Sequence, residues 1–292
     1  MKGMHMNTAV FRTASAVIVS LCLGPSAQAV DWSDTALSLR FGSNFREPFN
    51  PDAIGKQILA LTYVNGYKYG SNFVNLDLLH SNSKDPLALG RDAGAREAYL
   101  VYRHTLDIGK ISGADLKIGP LRGAGLTLGF DWNTKSDVGY NSRKRMLVAG
   151  PTLMWDVPGH LNTSILLLRE SNAPSGAFPP ISAVRGRYTY KTHPMLSADW
   201  GIVLSPLVSL DGYANFIGSK GRDEVGNATG AETNIDLQLM FDVGAMAGGR
   251  KNWVRAGFGY QYWNNKFGNT AATTGGKGYR ASTPMLRVEY HL

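Results

Sequence analysis

Polar and apolar positions alternate one by one along most of this chain. Residues 285–292 show the pattern: Leu286, Val288, Tyr290 and Leu292 fall on one face, Arg287, Glu289 and His291 on the other. A period of two puts successive side chains on opposite sides of an extended strand. The run from Asn234 repeats it, with Ile235, Leu237, Leu239 and Phe241 set against Asn234, Asp236 and Gln238. Helical periodicity is nearly absent. The alternation predicts twelve strands, over 35–43, 56–66, 70–81, 95–108, 124–133, 144–156, 160–170, 184–203, 208–218, 232–243, 252–263 and 282–292. The eighth contains Pro194, and proline belongs at a strand edge or a bulge. Splitting it would give an odd count, whereas single-chain bacterial barrels have even ones.

The connections mostly alternate long and short. "GSNFREPFNPDAIG" is followed by the tight "YKYG", and "SNSKDPLALGRDAG" comes next; "VPGH" precedes the long "SNAPSGAFPPIS". This rhythm predicts an all-β fold, an antiparallel transmembrane β-barrel with both termini at the short-turn, periplasmic end. The 109–123 connection is too long for its place. A soluble β-sandwich also has many short strands, but it would bury the charged faces in a dry core. In a barrel the final strand pairs with the first. Its apolar face then meets lipid and its polar face the lumen, and no edge is left open.

The N-terminus sets the compartment. Residues 1–29 carry Lys2 and Arg12, an apolar stretch from Ala14 to Leu23, and Ala27-Gln28-Ala29. These are the three parts of a cleavable signal peptide, and the stretch falls short of the ~20 residues a membrane helix needs. The expected division is 1–29 signal peptide and 30–292 barrel. Cleavage would remove Cys22, the chain's one cysteine, and leave 28 basic against 22 acidic side chains, a net charge of +6. The basic excess forms no run and no nucleic-acid motif, so no nucleic-acid partner is expected.

Alternation also assigns faces, because an Arg or Lys turned toward the bilayer midplane costs about 2–4 kcal/mol. The inward set holds Arg40, Arg103, Arg187, Lys191, Arg255 and Arg287 against Asp77, Glu97, Asp131, Asp211, Asp236 and Glu289, with Tyr63, Phe73, Tyr99, Tyr213 and Trp263 among them. A lumen balanced in sign and rich in rings suits a dipolar solute with a flat face. Tyr63, Phe73, Asp77, Glu97, Tyr99, Arg103, Asp131, Tyr213, Asp236, Gln238, Arg255, Trp263, Arg287 and Glu289 are the candidate solute-binding residues. The alternative is that these charges pair across the lumen and plug it, leaving function to the long loops.

Other chemistry finds little footing. There is no Cys/His metal spacing and no P-loop, and Gly123, Gly125 and Gly129 lack the dinucleotide-binding spacing. His80, Ser81 and Asn82 lie together, but adjacent strand residues point oppositely, so a His–Ser pair for lipid hydrolysis would not meet. No catalytic activity and no cofactor is expected. Several runs resemble the Tsx-like, nucleoside-specific channel-forming outer-membrane proteins, including relatives called outer envelope proteins. They are "REPFNP" from Arg46, "EAYLVYRHTLDIGKISG" from Glu97, "GLTLGFDWNTK" from Gly125, "RKRMLVAGPTLMWDVPGHLN" from Arg143, "YQYWNNKFGN" from Tyr260 and "ASTPMLRVEYHL" from Ala281. The resemblance implies a monomeric twelve-stranded barrel that passes nucleosides and deoxynucleosides by diffusion past aromatic and ionisable lumen sites. The expected partners are outer-membrane lipid, a nucleoside-class solute and, during biogenesis, the barrel-assembly machinery.

Overall fold

The computed structural model describes residues 30–85, 94–137, 139–177 and 180–292; the expected signal peptide lies outside them. Twelve strands close into one antiparallel barrel: β1 (Val30–Phe45), β2 (Ile54–Tyr67), β3 (Gly70–Ser81), β4 (Arg96–Asp107), β5 (Leu121–Ser136), β6 (Arg143–Trp155), β7 (Gly159–Asn172), β8 (His193–Ser205), β9 (Val208–Ile217), β10 (Glu232–Phe241), β11 (Val254–Asn264) and β12 (Arg280–His291). Each strand pairs with its chain neighbour, and β12 returns to β1 with Leu37 opposite Tyr290, Leu39 opposite Val288 and Phe41 opposite Leu286. The final edge is therefore used. Even the Leu292 amide donates to the Thr35 carbonyl at 2.9 Å.

Residues directly opposite one another in a ladder share a face, so one register fixes the inside and outside of the whole wall. Outside stand Leu37, Leu39 and Phe41 on β1, Ile165 and Leu167 on β7, Phe258 on β11 and Leu286 on β12, all exposed. Inside, Ser38, Arg40, Asp131, Asp236 and Glu289 are buried. An apolar wall running round the barrel far exceeds the patch of a few hundred Å² that a soluble monomer tolerates. Lipid is the solvent that suits it, and a closed barrel leaves no strand edge to desolvate there.

The structure departs from the expected elements chiefly at the eighth strand. The eighth strand begins at His193, not at residue 184, so Pro194 is its second residue and needs no bulge. Ahead of it the chain makes only a two-residue strand, Tyr188–Thr189, against the end of β7. At the short-turn end two connections are long. One holds the one-turn helix α1 (Ile108–Ser112), whose Lys110 amide donates to Asp107 Oδ1 at 3.1 Å and which ends at Gly113 with φ 72°. The other holds α2 (Val243–Met246), where the Asp242 carboxylate accepts from the Ala245 and Asn252 amides at 2.9 and 2.6 Å. Each turn is capped at its N-terminus by the aspartate that precedes it. A third short helix, α3 (Ala271–Thr274), lies in the loop before β12.

Candidate channel lumen

Of the fourteen candidate residues, thirteen lie on the inner face and Tyr63 does not. Its register partners are Thr35 and Val74, both on the outer face, and its hydroxyl accepts from Asn65 Nδ2 at 2.9 Å. The reason lies in β2, which is apolar on both faces: Ile58 and Ala60 turn in, Leu59 turns out. Alternation there carries no sign of which side is wet. Arg187 and Lys191 are also misplaced by the sequence reading, since both lie exposed in the 173–192 connection.

The inner charges are held in local pairs. Arg40 meets Asp77 at 2.5 Å, and Arg255 meets Asp211 at 2.5 Å and Glu289 at 3.4 Å. Arg287 reaches Glu289 at 2.5 Å, and Arg103 binds Asp131. Tyr99 donates its hydroxyl to the same Asp131 at 2.9 Å. Gly129, on the same face as Asp131, makes room for this cluster: a Cβ there would stand 2.8 Å from Arg103 Cδ and run into the Tyr102 carbonyl. Gln238 donates to Asp236 Oδ1 at 2.7 Å. Glu97 accepts from Asn133 Nδ2, and Trp263 Nε1 donates to Glu232 at 2.6 Å. Phe73 is inward and 38% exposed, an open ring face within the lumen.

The matching is incomplete in several places, at His193 Nε2, Trp200 Nε1 and His291 Nε2 singly and in one group of four. Ser38 Oγ, Arg40 Nε, Asn234 Oδ1 and Asp236 Oδ2 are buried without a hydrogen-bond partner among the described residues. They belong together, because Arg40 lies within electrostatic reach of Asp77, Asp236 and Tyr213, and Asn234 approaches the Tyr213 hydroxyl at 3.5 Å. Buried polar atoms normally find a partner, and each one left unmatched costs about 1–3 kcal/mol. This ring of donors and acceptors beside Tyr213 suits water or a polar solute.

The loop-side mouth holds a second network that sequence reasoning missed. Glu47 accepts from Lys56 at 2.8 Å and Lys266 at 3.1 Å, while Asp85 takes Lys135 at 2.5 Å and Lys56 at 3.3 Å. Across the mouth Glu170 binds Lys220 at 2.8 Å and Lys144 at 3.7 Å. Phe267 joins the two halves, with Lys144 over its ring at 3.6 Å and Lys266 at 5.1 Å. Burial alone would raise the Glu47 carboxyl, but the Lys135, Lys266 and Lys56 ammoniums hold it well below its usual range. The signal for Lys135 was available: it continues the inward parity of Asp131 and Asn133. Lys144 was hidden inside the basic run from Arg143 to Arg145. His80 and Ser81 point oppositely, the first exposed, the second buried with its hydroxyl on Asp85 at 2.6 Å.

No family model matches the chain, and no curated protein matches it. Among solved structures it is similar to the translocator domain of the autotransporter NalP from Neisseria meningitidis, at 13% identity over 97% of this chain and 95% of that one, TM-score 0.45. It is also similar to the KdgM porin, at 8% identity over 87% and 98%, TM-score 0.42. A third likeness is Pseudomonas aeruginosa OccK11 (OpdR), at 10% identity over 89% and 96%, TM-score 0.33. At such values the functional reading rests on this chain's own residues.

Proposed function

We propose that this protein is a narrow diffusion channel of the bacterial outer membrane, for small polar solutes of the nucleoside class. The observation that carries the reading is the unmatched ring of Ser38, Arg40, Asn234 and Asp236 beside Tyr213, inside a wall whose outer face suits lipid. Charges already paired in place present dipoles of both signs, which favours a neutral dipolar solute over an ion of either sign. Phe73, Tyr213 and Trp263 supply rings on which a flat base can stack. The Tsx-like resemblance points to the same solutes. In this reading the short turns and both termini face the periplasm, and residues 1–29 direct export.

A liposome-swelling assay tests the solute. Uridine or thymidine is expected to enter protein-bearing vesicles faster than a smaller hexose. Equal rates would remove the nucleoside assignment and keep the channel. The buried lysine–carboxylate network across the mouth favours a second reading, a closed barrel whose long loops carry the function. Vesicles that do not swell with any small solute would favour it.

A further inference from the structure

Four arginines stand on the outside of the barrel at its loop-side end. Arg143 and Arg145 lie exposed on β6 with the parity of Leu147, Arg169 lies exposed on β7 with the parity of Leu167, and Arg187 lies in the connection that follows. Arg145 is opposite Ser171 and Leu147 is opposite Arg169, so Arg145 and Arg169 are diagonal neighbours, a spacing long side chains bridge. Arg187 Nη1 donates to the Arg143 carbonyl at 2.9 Å and to the Ser171 hydroxyl at 3.2 Å, which ties it to the group. Partial burial, then Arg145 and Arg143 beside it, hold the Arg187 guanidinium below its ordinary range. Arg40, Arg103, Arg255 and Arg287 in the lumen each have a carboxylate. None of these four does among the described residues.

Four cations gathered without a counter-charge call for an anion, and their setting says which kind. Leu147, Ile165 and Leu167, just below them on the same two strands, are 61–63% exposed, among the most exposed apolar side chains of the wall. Trp132 is directly opposite Arg145 and 56% exposed; an outward tryptophan marks the level where hydrocarbon gives way to headgroups. The ligand therefore carries its negative charge immediately above an acyl chain. We propose that this patch binds the phosphate groups of a phosphorylated lipid of the surrounding leaflet, with its chains lying along Leu147, Ile165 and Leu167. Guanidinium forks match phosphate oxygens in pairs. The proposal rests on the membrane reading above and is independent of the solute.

The test uses the full-length protein in non-ionic detergent, titrated with a bisphosphorylated acylated glycolipid, the same glycolipid without phosphates, and inorganic phosphate. Native mass spectrometry reads the bound species. The phosphorylated lipid is expected to bind at least about tenfold more tightly than the dephosphorylated one, with inorganic phosphate bound weakly. Changing Arg145, Arg169 and Arg187 together to Gln is expected to abolish that preference, while Arg250→Gln with Lys251→Gln at the opposite end leaves it intact. Equal binding of the two glycolipids by the unaltered protein overturns the proposal whether or not the triple variant folds. An undiminished preference in a folded triple variant also overturns it, as does inorganic phosphate bound as tightly as the lipid. Flotation with zwitterionic vesicles separates the two readings: protein that inserts without a phosphate preference loses the lipid site alone, and protein that does not insert loses both.

Discussion

Arg40 is the residue on which the middle of the lumen turns. It pairs with Asp77 at 2.5 Å, and its charge also reaches Asp236, a residue only 1% exposed. Removing a buried cation strands its partners, which costs more than the pair contributes net. Arg40→Ala is expected to destabilise the barrel by about 3 kcal/mol in urea unfolding from lipid vesicles. Arg122→Ala, at a half-exposed arginine 3.8 Å from the buried Asp107, is expected to cost about 0–1 kcal/mol. Equal effects would mean that the lumen is as wet as the surface. At this scale the sequence was readable wherever a charge marked the inner face, as at Asp77, Asp131 and Arg255. It was unreadable at Tyr63, where apolar residues line both faces of β2 and nothing distinguishes lipid from lumen.

At the scale of elements, the strands follow from alternation and the loops do not. The expected strands agree with the structure to within three residues except at β1, which starts five residues early, and at β8, where a Pro-containing loop carried enough apolar residues to pass for an extension. The mouth network joins side chains from six separate stretches, among them Glu47, Asp85, Glu170 and Lys266. Contacts so distant in sequence leave no local pattern. That network is expected to respond to acid through Glu47. Its carboxyl is held below the ordinary 4.5 by three lysines, so its stabilising contribution is complete above that value and is lost as pH falls through the lowered one. Between pH 7 and pH 5 the amides of residues 46–53 are expected to exchange hydrogen at unchanged protection. As the pH falls well below 4.5, protection is expected to fall there before it falls in β1 and β2. Loss already at pH 5 would contradict the lysine cage.

As a whole, the described residues form an antiparallel barrel whose wall and interior have exchanged the solvents of a soluble protein. Outside, Ile165, Phe258 and Leu286 stand exposed; inside, Arg40, Asp131 and Glu289 are buried. A soluble fold of the same strands would have to bury those charges in a dry core at a cost of several kcal/mol each. Closure of β12 on β1 was legible in the faultless alternation of the last segment. The paired state of the lumen charges was not, because parity tells which way a side chain points and not whom it meets. Conductance of the purified protein in a planar bilayer, with and without nucleoside, decides whether this lumen is a narrow solute channel. Small stepwise conductance that uridine or thymidine blocks and a hexose does not is expected. Insertion without any conductance would contradict it.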